Sequence, residues 1–182
     1  VTGAASGIGR ALCLRFAQEG AKHIACVDRD LAGVEETAKM MGGKAYKVDV
    51  SVKDQITGMI DDVEANAGPI DLFCSNAGIS VPGGVEVEDD AWQKIWASAA
   101  GLLNQIGSAP YGVTKHAAVG LAEWLALTYG DQGIKVSVLC PQAVRTEMTR
   151  GHEDHVAAIN GMMEPEPVAE ACVQTIRNET FL

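Results

Sequence analysis

Positive charge is scarce in this sequence. Of 182 residues, 14 are Lys or Arg and 24 are Asp or Glu, leaving a formal net charge of −10. Phosphate affinity rests on Lys and Arg, so binding to nucleic acid or to an anionic membrane surface is not expected. Long apolar runs are missing too. None approaches ~18 residues, so no segment is expected to span a membrane. A charged-then-apolar N-terminal stretch of the secretory type is also absent, and the expected location is cytoplasmic. The five cysteines, Cys13, Cys26, Cys74, Cys140 and Cys172, lie far apart in apolar stretches, without Cys-x2-Cys spacing. That pattern speaks against a metal site or a disulfide framework and predicts small buried thiols in a reducing compartment. Repeats, low-complexity tracts and Pro/Ser-rich linkers are lacking, so a single domain over residues 1–182 is expected.

What is present is ordinary globular chain with a surplus of glycine. Hydrophobic residues make up 47% and charged residues 21%, which argues against disorder. A chain of this length can bury about two thirds of its surface. Short apolar runs of β type alternate with helical periods. His23–Val27, Ala45–Val48, Ile70–Cys74 and Lys135–Cys140 read as strands. Between them, Ile8, Leu12 and Phe16 keep one helical face, as do Leu31, Val34, Ala38 and Met41, and Ile56, Ile60 and Val63. Alternating strands and helices mean βαβ units, hence a parallel sheet with helices on both faces. Ligands of such sheets bind at the carboxyl ends of the strands.

Two places follow from that rule. The first is Thr2-Gly3-Ala4-Ala5-Ser6-Gly7-Ile8-Gly9, which opens the first helical period. Glycine allows a tight turn and close backbone approach, and a helix N-terminus attracts a pyrophosphate. The spacing G-x3-G-x-G differs from the commonest dinucleotide fingerprint, and alone it could be no more than a Gly-rich turn. Asp28 strengthens it. This acid ends the His23–Val27 run, 21 residues after Gly7. A carboxylate there can accept hydrogen bonds from adenosine ribose hydroxyls and would repel a 2′-phosphate, which favours NAD over NADP. Arg29 beside it could hold that phosphate, although a solvated helix-start residue is the simpler reading. The second place is Tyr111-Gly112-Val113-Thr114-Lys115. At i and i+4, Tyr111 and Lys115 share a helical face, and an ammonium beside a phenol favours the phenolate. A Tyr so tuned can serve as general acid or base. Ser98, thirteen residues earlier, could orient a substrate carbonyl or simply be a loop serine.

Taken together these residues resemble the short-chain dehydrogenase/reductase family. The matching pieces are Thr2-Gly3-x3-Gly7-x-Gly9, Asp28, Asp49-Val50, Asn76-Ala77-Gly78, Ser98, Tyr111, Lys115, and Pro141 to Thr146, in family order along nearly the whole chain. The resemblance implies a Rossmann-type doubly wound α/β fold. It implies that Gly3, Ser6, Gly7, Ile8 and Gly9 cradle the cofactor and that Asp49 and Val50 contact its adenine. Asn76, Ala77 and Gly78 would support the sheet beside it. Pro141 would contact the cofactor, Ile79 and Val144 would line the nicotinamide side, and Thr146 would hold its carboxamide. Tyr111 would transfer the proton, Ser98 would steady the reacting oxygen, and Lys115 would bind the nicotinamide ribose and lower the Tyr111 pKa. The implied activity is NAD(H)-dependent interconversion of a secondary alcohol and a ketone, in a homotetramer or homodimer. The alternatives are an NADPH-dependent carbonyl or 3-oxoacyl-carrier-protein reductase, and a non-catalytic dinucleotide-binding protein.

Several features depart from the family pattern or stand beside it. Pro141 is followed by Gln142 where the family has Gly. Between the Trp92–Trp96 region and the active-site Ser, the family has a helix carrying an Asn and then a fifth strand. Here only Ala97 separates Trp96 from Ser98. A strand and its crossover need on the order of 30 residues. A segment missing from this sequence near 96–98 is therefore expected, the competing account being a true deletion that leaves an inactive remnant. Relative to the family, the sequence opens at the end of the first strand and stops where a seventh should begin. The Glu147–Glu164 stretch, with Met148, His152, His155, Met162 and Met163, reads as a lid over substrate. Its two histidines read as solvated helix residues, not metal ligands. His116 reads as structural, and the apolar Ala117–Leu127 helix as a sheet-packing face plus a subunit contact.

Overall fold

The computed structural model describes residues 1–79, 86, 88, 109–151 and 161–181, with side chains from 112 onward in the stretch that begins at 109. The chain divides into two compact units. The first holds Val1–Ala77 and Glu164–Glu170; the second holds the described residues of 78–163 together with 171–181.

In the first unit the expected alternation is realised. Helix α1 spans Gly7–Gln18, strand β1 Ala25–Asp28, helix α2 Leu31–Met41, strand β2 Lys44–Lys47 and helix α3 Lys53–Ala67. The two strands pair in parallel, Ala25 opposite Lys44 and Asp28 opposite Lys47. Val27 also forms a parallel bridge with Thr2, and the Thr2 N–H donates to the Cys74 carbonyl at 3.0 Å. The order across the layer is therefore β2, β1, the N-terminal segment, then the stretch around Cys74.

The pleat sorts the core onto two faces. Cys26 points into a cluster with Ala4, Cys13, Ile24, Val34 and Ala38, which belongs to α1 and α2. Its neighbour Val27 points the other way, to Val48 and to Met59 and Val63 of α3. Helices on both faces of a parallel sheet make the fold a Rossmann-type doubly wound α/β layer. Val27 and Val34 are at most 1% exposed, and burying a side chain of that size contributes about 1.5–3 kcal/mol. Leu31, counted on the apolar face of α2, stays 41% exposed because it stands in the first turn, ahead of the core contact.

In the second unit, helix α4 spans Ala109–Tyr129, a 3-10 turn follows at Gly130–Gln132, and another covers Glu147–Thr149. Helix α5, Pro165–Arg177, contributes its beginning to the first unit and its end to the second.

Two expected strands are not formed. Ile70–Cys74 and Lys135–Cys140 carry no strand pairing. A strand exists only through a ladder, and apolar sequence does not supply the partner. Among the described residues, Lys135–Cys140 has one backbone rung, from the Val138 N–H to the Phe181 carbonyl at 2.7 Å. Near Ile70–Cys74 the carbonyl of Cys74 takes the Thr2 N–H, while Leu72 and Phe73 are 46% and 49% exposed. The other two strands shift by one or two residues, to Ala25–Asp28 and Lys44–Lys47.

Candidate functional site

The glycine turn of the first unit is built around contacts that only glycine permits. Gly3 sits at φ +70°, and a Cβ there would lie 2.8 Å from Asn76 Nδ2 and 3.0 Å from Ala77 Cα. At Gly9 a Cβ would fall 1.9 Å from the Gly3 carbonyl oxygen. The spacing of the motif is thus the spacing of a backbone-on-backbone contact. Gly7 and Ile8 open α1, whose cap residue Ser6 makes no side-chain bond to the helix and whose first turn has no acid. Neither its cap residue nor an acid of its own first turn offsets the positive end of the helix dipole, the arrangement that can receive an anion.

Asp28 ends β1 beside that turn. One carboxylate oxygen accepts the Ala5 N–H at 3.1 Å, and the other accepts the Asp30 N–H at 3.1 Å. The carboxylate is thereby fixed in direction with lone pairs to spare, as a ribose-hydroxyl acceptor must be. Asp49 follows β2. Its carboxylate accepts the Ser51 hydroxyl at 2.6 Å and the Ser51 N–H at 2.9 Å, which holds its pKa below the usual value, with a smaller attraction from Arg29. The Asp49 N–H donates to the Gln55 side chain at 2.8 Å, and Val50 is half-buried in the turn that follows. Asn76 is bound to Thr2 twice: its N–H donates to the Thr2 hydroxyl at 2.9 Å and its side-chain amide donates to the Thr2 carbonyl at 2.9 Å. The Ala77 N–H donates to the same hydroxyl at 3.0 Å. Gly3, Ser6, Gly7, Ile8, Gly9, Asp28, Asp49, Val50, Asn76 and Ala77 therefore belong to one unit. Gly78 and Ile79 follow as half-buried loop residues counted with the other.

In the second unit Lys115 lies on α4 and is only 4% exposed. Burial pushes its pKa down to about 8. Thr114 beside it is 2% exposed, while His116 is exposed and its ring Nδ1–H donates to the Gly112 carbonyl at 2.9 Å. The backbone of Tyr111 is helical; its side chain, like the whole of Ser98, lies outside the described residues. Pro141 is half-buried and Gln142 is exposed. Val144, 5% exposed, forms a parallel bridge with Met163. Thr146 caps the Glu147–Thr149 turn reciprocally with Thr149, whose hydroxyl also donates to the Val144 carbonyl at 2.7 Å. His152 and His155 of the expected lid lie outside the described residues. Among the described residues no cluster of His, Cys, Asp and Glu could hold a metal, and no helix is long and apolar enough to cross a membrane. All five cysteines lie outside any disulfide, with Cys13 and Cys26 fully buried and the other three half-buried.

Two residues that the motif reading passes over, Gln55 and Arg10, are part of this architecture, as is the hydroxyl of Thr2, which gathers the Asn76 and Ala77 amides. Thr2 stands inside the motif, and its place there is the only signal available without the fold.

A profile of the short chain dehydrogenases matches residues 1–97 and again 95–157, two stretches that meet at 95–97. The meso-2,3-butanediol dehydrogenase of Serratia marcescens is 30% identical, over 93% of this chain and 82% of that protein. The 3-ketoacyl-(acyl-carrier-protein) reductase of Brucella melitensis, solved in complex with NADH, superposes with a TM-score of 0.86 at 25% identity, covering 96% of this chain and 88% of that one. A short-chain dehydrogenase from Sphingobium yanoikuyae, solved with NADPH, superposes with a TM-score of 0.80 at 20% identity, covering all of this chain and 84% of that one.

Proposed function

The chain belongs to the short-chain dehydrogenase family, an oxidoreductase family, and from that premise we propose that it interconverts a secondary alcohol and a ketone using NAD(H). The observation that carries the choice of NAD is Asp28, a carboxylate fixed by Ala5 and Asp30 at the end of β1. A 2′-phosphate brought to that carboxylate would meet like charge. Arg29, exposed just ahead of α2, is read as a solvated residue and not as a holder of that phosphate.

The residues present fit a dinucleotide. Gly3 and Gly9 leave no room for side chains where backbone must come close, α1 offers an N-terminus without a side-chain cap, and Asp28 offers acceptors. Gly3, Ser6, Gly7, Ile8 and Gly9 would hold the pyrophosphate and Asp28 the adenosine ribose. Asp49 and Val50 would meet the adenine, with Asn76, Ala77 and Gly78 supporting the sheet beside it. Pro141, Val144 and Thr146 are assigned to the nicotinamide end. When bound, NAD(H) supplies the hydride acceptor or donor. The chain supplies the proton path: Tyr111 exchanges the proton with the substrate oxygen, Ser98 hydrogen-bonds that oxygen, and the Lys115 ammonium favours the Tyr111 phenolate. With a pKa of about 8, Lys115 keeps most of its charge at neutral pH.

The test is absorbance at 340 nm with NAD and a panel of secondary alcohols. NADH formation supports the reading; binding of NAD without turnover of any alcohol favours the non-catalytic dinucleotide binder. The meeting of the two family matches at 95–97 favours that second reading, since it falls where the Asn-bearing helix and fifth strand would stand. Peptide mass mapping across Trp96–Ser98 separates the cases: a contiguous Trp96-Ala97-Ser98 peptide means a true deletion, and additional residues between them mean a segment absent from this sequence. An NADPH-dependent 3-oxoacyl reductase is the other alternative, and tighter binding of NADPH than NADH would favour it. A homodimer or homotetramer, cytoplasmic in location, completes the proposal. Leu121, Trp124 and Leu127 of α4 are 58%, 53% and 87% exposed, a face that a second copy would cover. Light scattering tests it.

A further inference from the structure

We propose that Arg10 is a positioning residue for dinucleotide binding, holding the glycine turn in its binding shape by tying it to α2. The inference rests on the reading that this turn binds NAD(H).

Arg10 directly follows Gly9 and looks in sequence like an ordinary helix-surface arginine. Its guanidinium instead joins two elements, the glycine turn and α2. Nη2 donates to the Ala5 carbonyl at 2.5 Å, in the middle of the turn. Nη2 also donates to the Glu36 carboxylate at 2.7 Å and, more weakly, to the Gly33 carbonyl at 3.5 Å. Nε donates to the Thr37 hydroxyl at 3.0 Å, and that hydroxyl donates onward to the Gly33 carbonyl at 3.1 Å. Thr37 is fully buried.

Ala5 is consequently held at both its polar groups. Its N–H goes to Asp28 and its carbonyl to Arg10. A second observation shows how closely α2 is set against the turn: a Cβ on Gly33 would lie 2.8 Å from the Ala5 Cβ and 3.3 Å from the Ala5 oxygen. The planar fork suits this task, because its donors point in fixed directions to several acceptors, and a lysine offers a point charge instead. Geometry, not ion-pair strength, is the asset here. Glu36 is 59% exposed, and a pair so exposed contributes little by itself. Without the fork the Ala5 carbonyl loses its side-chain donor, and the backbone that carries the Ala5 N–H to Asp28 is held less firmly.

The test is titration with NADH, followed by fluorescence, of wild type and of Arg10→Met, Arg10→Lys and Thr37→Val, with unfolding midpoints measured alongside. Arg10→Met is expected to raise the NADH Kd about tenfold, the loss of one charge-assisted hydrogen bond. Arg10→Lys should recover part of that loss. Thr37→Val, which removes the Nε acceptor together with the hydroxyl's own bond to the Gly33 carbonyl, should raise Kd about two- to threefold and serves if Arg10→Met does not fold. Val63→Ala, on the opposite face of the sheet, is the control of matched destabilisation, and its Kd is expected to stay at the wild-type value. Unchanged Kd in the Arg10 and Thr37 variants overturns the inference while leaving the dinucleotide reading intact. A rise in Val63→Ala equal to that in Arg10→Met also overturns it, since Arg10 would then be merely structural. Absence of NADH binding by wild type overturns the dinucleotide reading itself.

Discussion

The glycine turn of the first unit and helix α4 of the second are built on opposite principles. The turn is made almost wholly of backbone and small residues, and its order comes from hydrogen bonds that cross between elements: Ala5 to Asp28, Asn76 to Thr2, Arg10 to Ala5. Helix α4 carries a long cation buried to 4% exposure, with its pKa lowered by that burial. One region depends on shape and the other on protonation. Substitutions that change volume should hurt the first, whereas pH and isosteric changes should hurt the second.

The largest expected effect is on the second region. Tyr111→Phe keeps the ring and removes the hydroxyl, and turnover is expected to fall about 10²- to 10⁴-fold, the usual contribution of a positioned acid or base. NADH binding should stay within a factor of two, measured by titration of the same preparation. Loss of binding with turnover would erase the contrast between the regions.

Next comes pH. The folded-state pKa of Lys115 is about 8, below the ordinary lysine value of 10.5. Below pH 8 both states carry the proton, and the fold bears the full cost of burying the charge. Between pH 8 and 10.5 the unfolded chain binds more protons than the folded one, so this group makes stability rise with pH across that window. The full difference is on the order of 3 kcal/mol. Lys115→Met should abolish that rise, read from denaturant midpoints at pH 7.5 and pH 10. An identical pH dependence in wild type and variant would show that the lysine is not titrating as its burial implies.

Shape in the first region gives the next effect. Gly9→Ala forces a methyl to 1.9 Å from the Gly3 carbonyl oxygen, so backbone must move. A loss of about 1–3 kcal/mol in stability is expected, with weaker NADH binding. Gly20→Ala, where nothing lies within 4 Å but φ is +87°, isolates the conformational cost without the clash. Equal binding losses in the two variants would mean that the close approach at Gly9 is not what matters. Smallest is Asp28→Asn, which keeps the shape and the acceptor oxygen but removes the charge. The preference for NADH over NADPH should narrow about tenfold.

The legibility of the sequence follows the same division. The turn, Asp28 and the parallel sheet were readable because glycine spacing, a strand-end acid and hydrophobic period are local signals. Arg10 and Gln55 are not readable, because each acts on a residue brought near by the fold and resembles ordinary surface or turn chemistry in the chain; Thr2 is quoted in the motif, but what its hydroxyl binds is not. The strands expected at Ile70–Cys74 and Lys135–Cys140 fail for a related reason. Their apolar character was visible, but a ladder partner is a property of the whole sheet. Lys115 was found through its spacing from Tyr111, and only burial revealed how far its own pKa moves. Ser98 and the Tyr111 side chain lie outside the described residues, and their roles are proposals from the resemblance.

The central claim is that the first unit presents Asp28 to the adenosine ribose of NAD. Parallel fluorescence titrations with NADH and NADPH at fixed ionic strength test it most directly. The account predicts that NADH binds at least about tenfold more tightly than NADPH. Equal affinity, a preference for NADPH, or no binding of either would contradict it.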